Sequence, residues 1–252
     1  MADRTAGTSP QLYARIGGLL YLIIIVAGVL GELFVRSTLV VSGDAAATAT
    51  KIMAAESLWR IGIAGDLVMH VCDIPLMLVF YVLLSPVSRP LAGLALLFNL
   101  VQTAVLVANK LSLLNVLFLL GSADYLKAFE PQQLHALAYV SIRSHGYGFS
   151  VGLVFFAFTC LLLGHLIRRS GYLPGILGVL MQIAGVCYLT NSFALLLAPK
   201  VAGALFPWIM LPCLAGELSL ALWLLVKGVN LVKWEARVGV RSAAAAGAGE
   251  RG

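Results

Sequence analysis

The sequence predicts an all-α protein, a polytopic membrane bundle of six transmembrane helices with short amphipathic helices in the outer loops. The 252 residues are 61% hydrophobic and 11% charged, with a mean hydropathy of +0.98, whereas soluble domains are about half apolar and about a quarter charged. Seventeen Lys and Arg and eleven Asp and Glu are too few to cover the surface of a soluble fold. The composition therefore excludes a soluble enzyme and a nucleic-acid-binding groove, and it makes the lipid bilayer the first partner.

Six apolar runs are long enough to cross about 30 Å of hydrocarbon, which takes about 20 helical residues. They lie near residues 16–35, 58–84, 91–115, 148–167, 174–197 and 203–227. An even number of spans places both termini on one side, and that side carries ten Lys and Arg against six on the other. The excess predicts cytoplasmic termini in the inner membrane of a bacterium.

The chain divides into three predicted segments. Residues 14–235 form the six-helix domain, after a cytoplasmic segment at 1–13 and before a disordered cytoplasmic tail at 236–252 that is rich in Ala and Gly. In the first outer loop, Asp44 is suited to cap a helix that begins at Ala45. In the second, Pro131 fits the first turn of another helix. Both loop helices are expected on the outer membrane surface.

Three ionisable residues follow one another along the second span. Asp66, His70 and Asp73 have the spacing i, i+4, i+7, which keeps them within about 60° of one helix face. Pro75 removes a backbone donor beside them and is expected to bend the helix there. Because ionisable groups at membrane depth are costly, this second-span stripe (Asp66, His70, Asp73) is a candidate functional site.

The third span carries amides on one face, at Asn99, Gln102 and Asn109, followed by Lys110. A rise of about 1.5 Å per residue brings the first two amides to the depth of the stripe, and Glu217 of the sixth span lies at a comparable depth. The predicted polar centre comprises Asp66, His70, Asp73, Asn99, Gln102 and Glu217.

A second polar group is expected nearer the outer surface. Its members are Glu32, Arg36, Arg60, Lys110, Arg143 and His145. This outer rim is either a set of ion pairs and long cations that anchor helix ends, or a mouth that admits an anionic or zwitterionic molecule.

The second-span stripe has three alternative interpretations. It is a hydrogen-bonded network that fixes helix register, a proton or ion relay with a histidine between two carboxylates, or a metal site. Asp66, His70 and Asp73 suit zinc or manganese, but a catalytic site needs a further ligand, for which Glu217 or His145 is available. We expect no Gly-rich phosphate loop, no Gly-x-Ser-x-Gly nucleophile elbow and no His-Glu-x-x-His site in this chain.

Four short motifs together resemble a bacterial family of integral membrane proteins catalogued as domain of unknown function 4386. They are Ala14–Leu22 (ARIGGLLYL), Gly43–Ala49 (GDAAATA), His145–Phe149 (HGYGF) and Gly171–Pro174 (GYLP). The resemblance extends from about Tyr13 to Val229. It implies a membrane fold and brings no catalytic or ligand-binding residue with it.

The function that follows most directly is a proton- or ion-linked small-molecule carrier, or a ligand sensor, that uses the polar centre. A membrane-embedded metal-dependent hydrolase acting on a lipid and a structural subunit of a membrane complex are the alternatives. A carrier predicts pairs such as Asp66 with Lys110 or Arg60. A hydrolase predicts three ligands at one point. The sequence leaves the cofactor, the ligand and the oligomeric state open.

Overall fold

The computed structural model describes residues 9–239, and this part of the chain consists of helices joined by short turns. The predicted segment 1–13 lies, up to residue 8, outside the described residues. Residues 240–252 of the predicted tail 236–252 also lie outside the described residues. The first four residues of that predicted tail, 236–239, belong to a helix over residues 231–239. The predicted all-α fold is confirmed.

Within residues 9–239, five helices are long and apolar enough to cross a membrane, and there are six spans if a bent pair of helices is counted as one. In chain order, the spans are Pro10–Leu39, Glu56–Leu84, Arg89–Leu119, Pro131–Ser170, Gly175–Leu197, and the pair Pro199–Leu205 with Met210–Val226. The two helices of the sixth span meet at an angle of 55°. We refer to them as the first to sixth spans.

The first outer loop folds as predicted, and the second does not. Asp44 caps the helix Ala45–Ala54 by accepting a 2.9 Å hydrogen bond from the Ala47 amide. Pro131 begins a helix as expected, but that helix continues without a break to Ser170. The predicted surface helix and the predicted fourth span are therefore one element. At about 1.5 Å per residue, its 40 residues measure about 60 Å, twice the hydrocarbon thickness.

The spans pack side by side in chain order, and the first also packs against the sixth, which closes a ring. Glycines allow close approach at two of these contacts. A Cβ on Gly164 or Gly178 would collide with backbone of the facing span, so the fourth and fifth spans need glycine there. A Cβ on Gly18 would meet the backbone of Ala221 and Leu225 in the same way.

The described chain begins and ends at the same end of the ring, which we call the terminal end. Hydrogen bonds join several chain segments there. The Gln11 amide donates to the Lys227 carbonyl at 2.9 Å and accepts from the Val229 amide at 3.0 Å. The Tyr172 hydroxyl donates to the Leu83 carbonyl at 2.5 Å. Burial raises the pKa of this hydroxyl above its usual value, so it stays a neutral donor. The opposite end is the loop end.

The interior is apolar at both ends and polar between them. Side chains from all six spans form the core of the terminal half; the largest are Phe80, Leu83, Leu84, Leu166, Ile167, Met181, Leu220 and Leu224. A smaller apolar cluster at the loop end is centred on Trp59, whose indole donates to the Leu113 carbonyl at 3.1 Å. The outward faces are apolar as well, with Val71 70% and Ile61 65% exposed. Such faces suit contact with lipid.

Candidate functional site

The second-span stripe faces the interior of the ring, as its spacing predicts. Asp66, His70 and Asp73 are 1%, 2% and 7% exposed, whereas Val71 after His70 and Ile74 after Asp73 are at least half exposed. Pro75 lies inside the continuous helix Glu56–Leu84. The periodicity therefore identified the buried face correctly.

Asp66 lies at the centre of a charged cluster, defined by Glu32, Arg36, Asp66, Lys110 and His145. Its Oδ2 accepts hydrogen bonds from Arg36 Nη1 at 2.9 Å and from Lys110 Nζ at 2.8 Å. Arg36 Nε also donates to Glu32 Oε2 at 2.7 Å, and Lys110 Nζ lies 3.3 Å from His145 Nε2. A lysine has only donors, so His145 Nε2 accepts and its proton is on Nδ1. Four spans thus meet in one ionic network.

The first span makes room for the charged cluster through a local change of helix geometry. Residues Gly31–Arg36 form a π-helical turn between the α-helix and its last turn. A Cβ on Gly31 would lie 3.0 Å from Asp66 Oδ1 and 3.1 Å from Arg36 Nη2. Both distances are tight, so a larger residue at position 31 would push Asp66 or Arg36 by a few tenths of an ångström. Turns of this kind are common at functional sites.

Asp73 belongs to a different polar group, nearer the middle of the ring. Thr103 Oγ1 donates to Asp73 Oδ2 at 2.5 Å, and Asn99 Nδ2 donates to Asp73 Oδ1 at 3.4 Å and to Gln102 Oε1 at 3.1 Å. Within residues 9–239, Asp73 has no Lys or Arg partner. Its partners are a hydroxyl and an amide.

Glu217 is a second buried carboxyl group of this kind, at 8% exposure. It accepts a hydrogen bond from the Tyr188 hydroxyl and also interacts with the Tyr21 hydroxyl. It too has no basic partner in the described part of the chain, and it is close enough to Asp73 for their charges to interact. We call this group the central acid layer; it comprises Tyr21, Asp73, Asn99, Thr103, Tyr188 and Glu217.

Three buried polar atoms between and beside these groups have no hydrogen-bond partner: Asp66 Oδ1, His70 Nε2 and Asn99 Oδ1. An unsatisfied buried polar atom costs about 1–3 kcal/mol. His70 follows Asp66 by one helical turn and precedes Asp73 by another, so its free nitrogen lies between the charged cluster and the central acid layer. The three atoms can bond water, an ion or a polar ligand.

The predicted polar centre and outer rim are grouped differently in the structure. Asp66, assigned to the centre, pairs with the rim residues Arg36 and Lys110. Arg60 forms an exposed pair with Glu56 at 2.7 Å and takes no part in the charged cluster.

Arg143 is also separate from the charged cluster. Its guanidinium lies 5.9 Å from the centre of the Tyr147 ring, and its side chain lines a cleft of about 270 Å³ at the loop end.

Sequence reasoning missed three members of the central acid layer. Thr103 follows Asn99 by one helical turn, and this spacing was a usable signal. Tyr21 and Tyr188 are uncharged, but both lie in the interior of a span rather than at the interface where tyrosines usually collect. A tyrosine in that position needs a buried partner for its hydroxyl.

Sequence reasoning overlooked one pattern that is typical of hydrolases, and this pattern lies outside the strand-to-helix turn that those enzymes need. Residues 148–152 (GFSVG) match the Gly-x-Ser-x-Gly pattern of hydrolases, whose serine lies on a strand-to-helix turn. Here the five residues lie inside the fourth span. Their glycines serve packing, because a Cβ on Gly148 would collide with Asn109 and one on Gly152 with Leu106.

The described residues do not contain the set of side chains that a metal site would need. No three or more His, Cys, Asp or Glu side chains are placed there so that they could hold a metal ion. Asp66 bonds to two cations instead, and Asp73 bonds to Thr103 and Asn99.

The sequence of the chain matches the model of one known protein family. The family model described as Domain of unknown function (DUF4386) matches residues 16–228. The chain belongs to this family. A relative from Archaeoglobus fulgidus, named "Uncharacterized protein", is 28% identical over 170 residues, which cover 67% of this DUF4386 chain and 85% of the relative. No solved structure matches the chain.

Proposed function

We propose that the protein is a proton- or ion-linked carrier, or a ligand sensor, for a small molecule in the inner membrane of a bacterium, with both termini in the cytoplasm. The observation that carries the proposal is the pair of buried carboxyl groups, Asp73 and Glu217, whose partners are hydroxyls and an amide. An unpaired buried charge is costly, so such groups exchange between a protonated form and a form that holds a cation.

A polar route from the loop end supports this proposal. It begins at Glu32, whose side chain is 55% exposed, and passes through Arg36 to Asp66. His70 continues it toward Asp73 along the second span. Its unpartnered Nε2 can bond a water molecule between the two polar groups.

The route has no counterpart at the terminal end, where the apolar core fills the interior. Access from one side with closure on the other is what one state of an alternating-access carrier requires, and it also suffices for a sensor. The cleft beside Arg143 adds a place at the loop end where an anionic or zwitterionic molecule could dock.

The rival interpretation of the same residues is a polar network that only holds helices in register. The two differ in whether Asp73 and Glu217 change protonation in the folded protein. Infrared difference spectra between two pH values detect the C=O stretch of protonated carboxylic acids in nanodisc-embedded protein. We expect the wild type to show such bands, and Asp73→Asn and Glu217→Gln each to remove one. Glu56→Gln, at an exposed pair, is the matched control.

Bands that persist in both variants would contradict the proposal. Carrier and sensor are then separated with proteoliposomes that enclose a pH-sensitive dye and are exposed to a panel of small metabolites. A carrier changes the internal pH when one metabolite is added, and Asp73→Asn abolishes the change. A sensor binds the metabolite without moving protons.

The orientation is tested separately by reporter fusions. A cytoplasmic reporter is expected to be active after Val229, and a periplasmic reporter after Lys127. The reverse pattern would overturn the proposed topology.

A further inference from the structure

A cleft of about 440 Å³ lies at the terminal end, away from both polar groups. One wall is the turn Gly171–Pro174 between the fourth and fifth spans. The other comes from the end of the sixth span and the segment after it: Trp223, Lys227, Gly228, Val229, Asn230 and Lys233. The cleft therefore lies where three spans reach the membrane boundary.

The lining is cationic. Lys227 and Lys233 are exposed, and neither forms an ion pair with an acid among residues 9–239. Arg237 is close enough to act electrostatically on Tyr172 of the opposite wall. Glu235, on the same helical segment, is the one nearby acid in the described chain after the sixth span. The cleft thus favours an anion.

The cleft is held in shape before any ligand arrives. The Trp223 indole donates to the Gly228 carbonyl at 3.1 Å, and the Asn230 amide donates to the Tyr172 carbonyl at 3.1 Å, so the two walls are linked. Gly228 has φ +67°, and a Cβ there would collide with Gln11. A preformed site loses little entropy on binding.

The surroundings favour a lipid over a soluble anion. Ile176, two residues after Pro174 of one wall, and Val226, next to Lys227 of the other, are 61% and 65% exposed. A headgroup phosphate in the cleft would leave its acyl chains beside these apolar side chains. Basic pockets between spans on the cytoplasmic side are known binding places for anionic headgroups.

We propose that this cleft binds the phosphate of an anionic phospholipid, with Lys227 and Lys233 as its cationic contacts. The site is independent of the carrier or sensor function, because it shares no residue with the charged cluster or the central acid layer.

Native mass spectrometry of the full chain in neutral detergent tests the proposal, by titration with phosphatidylglycerol and phosphatidylcholine of identical acyl chains. We expect the wild type to prefer phosphatidylglycerol. Each lysine near an anionic headgroup contributes roughly fivefold in affinity, so Lys227→Gln with Lys233→Gln should lower this affinity about 30-fold. Each single variant should lose about fivefold, which keeps the test valid if the double variant folds poorly.

The matched control is Lys127→Gln with Lys200→Gln, which removes the same charge at the loop end and should leave the preference intact. Equal binding of the two lipids by the wild type would overturn the proposal, and so would an equal loss in the control. A third titration adds inorganic phosphate. If millimolar phosphate displaces phosphatidylglycerol, the ligand is a soluble phosphate and the lipid assignment is wrong.

Discussion

The charged cluster and the central acid layer both hold buried carboxyl groups, but the partners are cations in the cluster and neutral side chains in the acid layer. Asp66 of the cluster has two cations within 2.9 Å. Asp73 of the acid layer, two helical turns away, has a threonine hydroxyl and an asparagine amide. A carboxylate between two cations is fixed in its ionised form, whereas one with neutral partners is free to change its protonation. Burial alone therefore does not identify a group that exchanges protons; the partners do.

The largest effect is expected when the charge of Asp66 is removed. Asp66→Asn leaves Arg36 and Lys110 buried without their shared anion, and breaking a buried ion pair from one side costs about 3–5 kcal/mol. Thermal unfolding in detergent measures the loss. Adding Lys110→Met to Asp66→Asn should restore part of the stability, because one unpaired cation is gone. If Asp66→Asn is as stable as the wild type, the cluster is not the ionic network described above.

A smaller loss is expected when the space beside Asp66 is filled. Gly31→Val adds a branched side chain whose Cβ would already lie 3.0 Å from Asp66 Oδ1 and 3.1 Å from Arg36 Nη2, and overpacking of this kind costs about 1–3 kcal/mol. Gly28→Val, one turn earlier, is the matched control, because the nearest atom to a Cβ there is Met69 Sδ at 3.5 Å. Unfolding curves that coincide for the two variants would show that the π-helical turn has no role in holding the pair.

Tyr188→Phe probes the acid layer by removing the hydroxyl that donates to Glu217. Hydrogen bonds between membrane helices contribute about 1 kcal/mol, so a modest loss of stability is expected. The infrared band of Glu217 should shift at the same time, since its carboxyl group has lost a donor. A loss of stability without any spectral shift would mean that Tyr188 acts through packing alone.

Asp73→Asn should have the smallest effect on stability, no more than the roughly 1 kcal/mol of one hydrogen bond between membrane helices, because the change conserves shape. An amide resembles a protonated acid in shape, and its oxygen still accepts from Thr103. The infrared band assigned to Asp73 should nevertheless disappear, while that of Glu217 remains. Asp73→Leu is the variant to compare with it. This change leaves Thr103 and Asn99 without an acceptor, so it should lower stability more than Asp73→Asn does. A strong destabilisation by Asp73→Asn would show that this carboxyl group is needed in its ionised form.

Sequence periodicity predicted which side of the second span is buried, but not how the helices are rotated against one another. The spacing of Asp66, His70 and Asp73 fixes one face of one helix, and this prediction is confirmed. Whether Lys110 reaches Asp66 or Asp73 depends on the packing of the second span against the third. The carrier hypothesis named the pair of Asp66 with Lys110, which the structure contains, but helix periodicity alone could not select it.

Other misses have equally physical causes. The fourth span could not be read as one helix because the polar residues around Arg143 interrupt its apolar run, whereas a helix that leaves the bilayer needs no apolar face there. Tyr188 and Tyr21 carry no charge, so counting ionisable residues passes over them. The residues that sequence reasoning identified are those for which burial of the single side chain costs much free energy.

The closure of the ring between the first and sixth spans determines when the protein becomes complete during synthesis. Neighbours in the chain are neighbours in the ring, so each helical hairpin can pack as soon as it has been made. The contacts between the first and sixth spans, such as that of Gly18 with Ala221 and Leu225, must wait for the final span. Glu217 arrives with that span and reaches Tyr21 of the first. A nascent chain of five spans therefore holds Asp73 without its acidic counterpart, and the acid layer is assembled at the moment the membrane domain is finished.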